Sequence, residues 1–293
     1  MSTQAEQEQI VASAIREISH IATLPEITLK IVELVEDPKS TAQDLHKVIN
    51  NDPALSSRIL KVVNSSFYGL PGQIGSINRA IVMLGLNAVK NIAIAASLAK
   101  LFRGGELTNQ VSAKDIWEHS IAVAATMKLL ADRLKLGLAD EAFLAGLMHD
   151  IGLIVEMQFD RNKLIDVFQA IGLDGDGAPC LDMLETEQQV FGANHQQFGA
   201  ALCEKWKFPR NFAIVAGHHH DPLAVAKENR RLPCMAFIAD RLVSEVKGGF
   251  RADFVELTYP NDVLDELGLS LTALDTLKQE LPSHLDDASA LLS

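Results

Sequence analysis

His119, the adjacent pair His149-Asp150, His195, the adjacent pair His219-His220 and Asp240 are all side chains able to ligate a metal, and they recur every few tens of residues through the middle of the chain. Each falls in a stretch that reads as helix, mostly on the side that should face inward. His119 shares a face with Ile116, Val123 and Met127, Asp240 with Ala236, Phe237 and Val243, and His195 with Gly199 and Leu202. His149 follows Ala142, Ala145 and Gly146, small residues that let another helix approach closely. One inward-facing histidine is commonly satisfied by a backbone carbonyl. Several such groups in one core are costly unless something shared compensates them, and a cation does so most economically.

Imidazole and carboxylate together suit one or two divalent ions: Fe, Mn, Zn, Ni or Co, or a mixed site that includes Mg. Successive helical residues point about 100° apart, so His149 and Asp150 can embrace one ion. The two oxygens of Asp150 can bridge a pair of ions, with His195, His219 and His220 serving mainly the second. His218 is expected to flank the site or lie at the surface, and His20, His46 and His284 read as solvated or capping residues. Such a centre polarises a phosphoryl oxygen and acidifies water, which makes phosphoester hydrolysis its natural chemistry. There is no P-loop, no G-x-S-x-G, no G-x-G-x-x-G and no CxxC. The segment Gly172 to Pro179 is glycine-rich but acidic, through Asp174 and Asp176, and reads as a loop that would repel phosphate.

The elements that must position these side chains read as helices almost throughout, with 3.6-residue apolar periodicity and no alternating β-branched runs. Pro25 opens a helix carrying Ile27, Ile31, Leu34 and Val35, and Asp37-Pro38 stops it. Ser40 or Thr41 caps the next. Asp52-Pro53 is an N-cap followed by proline at the first helical position, and Ser76 caps a helix that Gly85 ends. Ser65 to Ser76, with Gly69, Pro71, Gly72 and Gly75, is a loop. A longer helix is expected from about Asn87 to Phe102. Gly104-Gly105 and Gly248-Gly249 punctuate the chain. The expected fold is all-α and two-lobed: an N-terminal arm (1–19), a first helical lobe (20–110), a second lobe holding the ligands (111–247) and a helical tail (248–293).

Composition narrows the function. The 293 residues are 48% hydrophobic with a net charge of −12, as expected of a soluble protein with a sizeable core and not of a general nucleic-acid binder. The densest basic spots, Lys128 to Lys135 and Arg230-Arg231, are slight. Cys180, Cys203 and Cys234 are isolated, which argues against a disulfide framework and a thiolate zinc site. The polar, acidic start MSTQAEQEQ is unlike a secretion signal, no apolar run is expected to reach the ~18–20 residues of a membrane span, and a cytoplasmic location is expected.

The order His119, His149-Asp150, Asp240 resembles the H…HD…D pattern of the HD superfamily of metal-dependent phosphohydrolases, and His195 with His219-His220 look like the extra ligands of the HD-GYP branch, which cleaves cyclic di-GMP. Over roughly residues 20 to 245 the chain resembles the HDOD family, a regulatory relative of both. The resemblance rests on LPEITLKIVELVEDP (24–38), INNDPALSSRILKVVNSSFYG (49–69), SINRAIVMLGLNAVKNIAI (76–94), EHSIAVAA (118–125), AFLAGLMHDIG (142–152), FGANHQQFGAALCEKWKFP (191–209) and HHDP (219–222). It implies an all-helical, two-lobed fold and a bacterial signalling or regulatory role. Many HDOD proteins have lost HD ligands and act as non-catalytic modules, whereas every ligand position matched here is filled. The chain also departs from active HD-GYP proteins. Leu153 stands where those often carry a phosphate-contacting Lys, and Asp221-Pro222-Leu223 follows the histidine pair with no GYP sequence.

Two functions are therefore expected to compete: a metal-binding regulatory module that signals through protein partners, and a metal-dependent phosphohydrolase or phosphodiesterase acting on a nucleotide or cyclic dinucleotide, in which Asp150 would bridge the ions and orient the nucleophile. A bundle with internally hydrogen-bonded histidines is the third. A free-standing module must find its signalling partner elsewhere. The polar cluster Asn64, Ser65, Ser66 and Tyr68 is a candidate partner surface, with a simple helix stop as the competing reading.

Overall fold

In the computed structural model, the described residues are 3–18, 26–37, 39–99, 101–102, 105–175, 177–247 and 250–289. His20, Pro25, Pro38, Gly104, Asp176 and Gly248-Gly249, all singled out in the sequence, lie outside them. The helices are α1 Gln4–Ile18, α2 Glu26–Glu36, α3 Ala42–Asn50, α4 Pro53–Val63, α5 Ile77–Leu84, α6 Leu86–Leu98, α7 Ala113–Arg133, α8 Ala139–Met148, α9 Ile151–Phe159, α10 Arg161–Ile171, α11 Met183–Val190, α12 His195–Lys205, α13 Arg210–His218, α14 Arg231–Lys247, α15 Asn261–Leu267 and α16 Leu271–Ser289. Short 3-10 turns occupy Ser66–Tyr68 and Lys227–Asn229. Among the described residues there is no strand, and the chain is all-helical.

Local signals account for the helix ends. Thr41 forms a reciprocal capping box with Asp44, Asp52 caps α4 through the Leu55 amide with Pro53 at the first helical position, and Ser76 caps α5. Gly85 ends α5 at φ +90°, a conformation that side chains rarely adopt. Helix α6 starts one residue before the expected Asn87 and stops at Leu98, short of Phe102.

Helices α2 to α6 pack on one another, and α6 also packs on α8. Lys90 of α6 ties this group together, donating from Nζ to the Leu34 carbonyl and to Ser40 Oγ. The second group is organised around α7 on α8, α9 on α12, α12 on α13 and α14 on α7. The buried apolar core runs without a break from Val11 to Ala288 across both groups. Helix α1 packs on α9 and α12, so the N-terminal arm sits with the second group. Helix α16 packs on α7, on α14 and on the Ser66–Tyr68 turn.

One expectation fails. The run Ala139–Phe159, which joins α8 and α9, is 21 residues long and contains an 18-residue window of mean hydropathy 1.3, enough by length and composition to cross a membrane. It is a core element instead: 89% of that apolar window is buried inside the protein, and His149-Asp150 sits at its centre.

Candidate metal centre

The break between α8 and α9 is where the site begins. Helix α8 ends at Met148, His149 follows as its C-cap, and Asp150 precedes α9. Two glycines make room around the break. A Cβ on Gly146 would lie 2.8 Å from Ala124 Cα, so α7 and α8 touch backbone to backbone beside His119. A Cβ on Gly152 would lie 1.8 Å from the His195 carbonyl oxygen, so the start of α9 abuts the start of α12. These contacts carry His119, His149-Asp150 and His195 into one pocket. Helix α13 delivers His219-His220 at its end, and α14 delivers Asp240.

The seven residues come together. His119, His149, Asp150, His195, His219 and Asp240 are each at most 3% exposed, and His220 is half-buried. Asp150 stands between two groups. Its Oδ2 lies 3.0 Å from His149 Nε2 and 4.0 Å from His119 Nε2, and Asp240 reaches the same two imidazoles at 3.8 and 2.9 Å. Its Oδ1 lies 3.2 Å from His219 Nε2 and 3.7 Å from His195 Nε2, and His195 Nε2 is 3.2 Å from His220 Nε2. Two atoms bound to one ion at about 2.1 Å cannot be more than about 4.2 Å apart, and every separation here is within that limit.

The pattern of hydrogen bonds fits a cation. His149 Nδ1 lies 2.7 Å from the Gly146 carbonyl, His219 Nδ1 faces the Val215 and Ala216 carbonyls, and His195 Nδ1 lies 2.9 Å from both Glu187 oxygens. A carbonyl or carboxylate at Nδ1 fixes the proton there and turns the Nε2 lone pair inward. Lone pairs on His195 and His219 then face each other at 3.4 Å, which is repulsive without a positive charge between them. Both Asp150 oxygens, His149 Nε2 and Asp240 Oδ2 are buried without a hydrogen-bond partner. These residues fit one or two divalent ions.

Protonation is the alternative compensation. Burial opposes a charged His149, but Asp150 and Asp240 outweigh it and raise its pKa to about 9. Burial likewise opposes charge on His195, where Glu187 and Asp150 prevail and raise it to about 9. Burial pushes His219 and His220 down, and neighbouring imidazoles push the same way. Asp150 is held well below the usual carboxylate range because His149 and His219 overcome its burial.

Three acids were not read from the sequence. Glu187 of α11 orients His195 through its ring and its backbone amide. Glu156 of α9 is buried beside Glu187, and burial and that neighbour push its carboxyl well above the ordinary range. A lone acid in the apolar run IGLIVEMQF was the signal available for it. Asp253 lies beyond α14, its Oδ2 3.6 Å from His220 Nε2. Leu153 is 1% exposed and supplies no cation to the site. His218 and His46 are half-buried, and His284 is exposed.

The proposed partner cluster has other work. Asn64 caps α4 and uses both amide hydrogens on the Leu60 and Ile74 carbonyls, while its Oδ1 accepts from the Ile74 amide at 2.7 Å. Ser65 donates to the Val62 carbonyl. Asn64 holds the 65–76 loop closed. Ser66 remains exposed, and Tyr68 lines a cleft of about 760 Å³ between the first helical group and α8.

An all-helical chain that folds a paired histidine–aspartate cluster around an HD dipeptide is of the HD-like helical class. The HDOD domain profile matches residues 21–222, and this chain belongs to that family. A curated protein of Treponema pallidum (strain Nichols), described as uncharacterized, is 22% identical over 222 residues; the match covers 74% of this chain and 41% of that relative. Among solved structures, an HDOD domain protein with unknown function from Geobacter sulfurreducens superposes with a TM-score of 0.80 at 22% identity, covering 97% of this chain and 98% of that one. A protein of Marinobacter aquaeolei VT8, described as a candidate signal transduction protein, gives 0.79 at 23% identity, covering 98% of this chain and 65% of the other.

Proposed function

We propose that this protein is a regulatory module whose histidine–aspartate centre holds one or two divalent ions and whose output is made through contacts with signalling proteins. The observation that carries the reading is burial. His149, His195, His219 and Asp240 are fully buried, and the segment after α14 lies over the cluster, with Phe250 against His119 and Phe254 against His220. A phosphoester could not approach Asp150 without moving that segment. A cation in the centre supplies charge compensation that fixes α7, α8, α9, α12, α13 and α14 in one arrangement. The residues around it do the rest: Glu187 and the α8 and α13 carbonyls orient the imidazoles, and Phe250 and Phe254 exclude water.

A second reading, a phosphohydrolase acting on a nucleotide or cyclic dinucleotide, is favoured by the placing of Asp150, whose two oxygens face separate groups of imidazoles. In that case the centre would supply an acidified water and Asp150 would orient it. Metal analysis of protein purified without chelator, with a phosphodiester panel in Mn, Fe, Ni and Mg, separates the two. The module reading expects bound metal and no turnover. Turnover lost in His149→Ala and Asp150→Ala would replace it with the second, and protein with less than about 0.1 equivalent of metal under anaerobic conditions would remove both.

A further inference from the structure

The two halves of the cluster are unequally supplied with charge. His119, His149 and Asp240 have two carboxylates at hand, their own Asp240 and the shared Asp150. On the Nε2 side His195, His219 and His220 have only the shared Asp150, since Glu187 lies behind the His195 ring at Nδ1 and cannot ligate the same ion, and three neutral imidazoles do not offset a buried dication. The missing charge is close by. Asp253 has a side chain only 1% exposed, its Oδ2 is 3.6 Å from His220 Nε2, and neither of its oxygens has a hydrogen-bond partner. A buried, unpartnered carboxylate is a costly feature to keep in a core, and this one faces the half of the cluster that lacks a ligating carboxylate of its own.

The position of Asp253 is set firmly. Phe250 packs on His119 and on Phe168, with ring centroids 5.5 and 6.2 Å away. Phe254 packs on His220, and its other neighbour is the Arg241 guanidinium, which is stacked between Phe254 and Phe237 at 4.4 and 3.3 Å from their centroids. Asp253 is therefore held between two anchored aromatics. Arg241 lies near enough for Asp253 to favour its charge, but no ion pair joins them, and the guanidinium stacks on the rings and donates to the Phe237 carbonyl.

We infer that Asp253 is an eighth ligand of the centre, serving the ion held by His195, His219 and His220. This rests on the metal-binding reading above. It gives each half of the cluster one ligating carboxylate of its own besides the bridging Asp150, with Glu187 behind His195 as a further acid outside the ligand set. The 3.6 Å between Asp253 and His220 is within the ~4.2 Å that two ligands of one ion can span. Because Asp253 lies in the segment that leads to α15 and α16, occupation of this half of the centre also fixes the path of the chain into the tail.

The test uses the full chain, stripped by chelator and titrated anaerobically with Co²⁺, read by visible absorption and by elemental analysis. Wild type takes up two equivalents. Asp253→Asn, which keeps the shape, takes up the first with wild-type affinity and the second at least 10-fold more weakly. The metal-stripped variant melts at or above the metal-stripped wild type, because it no longer buries an unpartnered carboxylate. Two equivalents bound by Asp253→Asn with affinities within about twofold of wild type would overturn the ligand role alone. A metal-stripped variant that melts well below wild type would overturn it too, by assigning Asp253 a structural hydrogen bond. Wild type that binds no Co²⁺ would overturn both this inference and the metal-binding reading.

Discussion

Gly152→Ala should damage the centre more than a single methyl group ordinarily can. The added Cβ would lie 1.8 Å from the His195 carbonyl oxygen, 2.6 Å from its carbonyl carbon and 2.8 Å from its Cα. All three are backbone atoms, so no side-chain rotation relieves the clash. Restoring ordinary contact requires α9 and α12 to separate by about 1.6 Å, whereas metal–ligand distances tolerate only about 0.2 Å. Overpacking a core costs about 1–3 kcal/mol and more against backbone, so about 3 kcal/mol is expected, or some 5–10 °C in melting temperature. Separation also moves His195 away from His219, His220 and Asp150, so the second ion should be lost while the His119–His149–Asp240 half persists. The assay is thermal denaturation with and without Mn²⁺, alongside metal stoichiometry. Gly75→Ala is the control, since nothing lies within 4 Å of its Cβ position and its φ is ordinary. A Gly152→Ala protein that melts within about 2 °C of wild type and holds two ions would refute the idea that this contact sets the geometry.

Four further outcomes follow. Ions must displace protons from His149 and His195, both raised to about 9, so metal affinity should climb as pH rises toward 9, by up to about two decades per unit. The stripped protein should behave oppositely: histidines whose folded pKa exceeds the unfolded ~6.5 add stability that is complete below that value and is lost as pH rises through 9, as melts from pH 6 to 10 would reveal. Glu187→Gln should leave the fold intact but weaken the second ion about 10- to 100-fold by calorimetry, because His195 loses the group that fixes its ring. Asn64→Ala should lower stability by about 1–3 kcal/mol in urea and leave metal content unchanged, since its side chain closes the 65–76 loop.

How much of this could be read from the sequence depended on distance along the chain. Thr41, Asp52-Pro53, Ser76 and Gly85 act on backbone within a few residues, and the helix ends fall where those signals stand. His119, His149, His195 and Asp240 could be picked out because each lies on an apolar helical face or beside a close-packing glycine, and Gly146 does meet α7. Glu187 could not, since its role exists only when α11 packs beside the start of α12. Asp253 could not either: it lies outside any helix, where periodicity gives no inside and outside. The apolar run around His149-Asp150 misled in the other direction, because a core helix pair and a membrane span share one composition until their surroundings are seen.

The most direct measurement is anomalous scattering from crystals of the full chain grown with Mn²⁺. The account predicts two peaks about 3.5–4 Å apart on either side of Asp150, one among His119, His149 and Asp240 and the other among His195, His219 and His220. A map with no peak, and with the inward Nε2 atoms hydrogen-bonded to water or to one another, would contradict it.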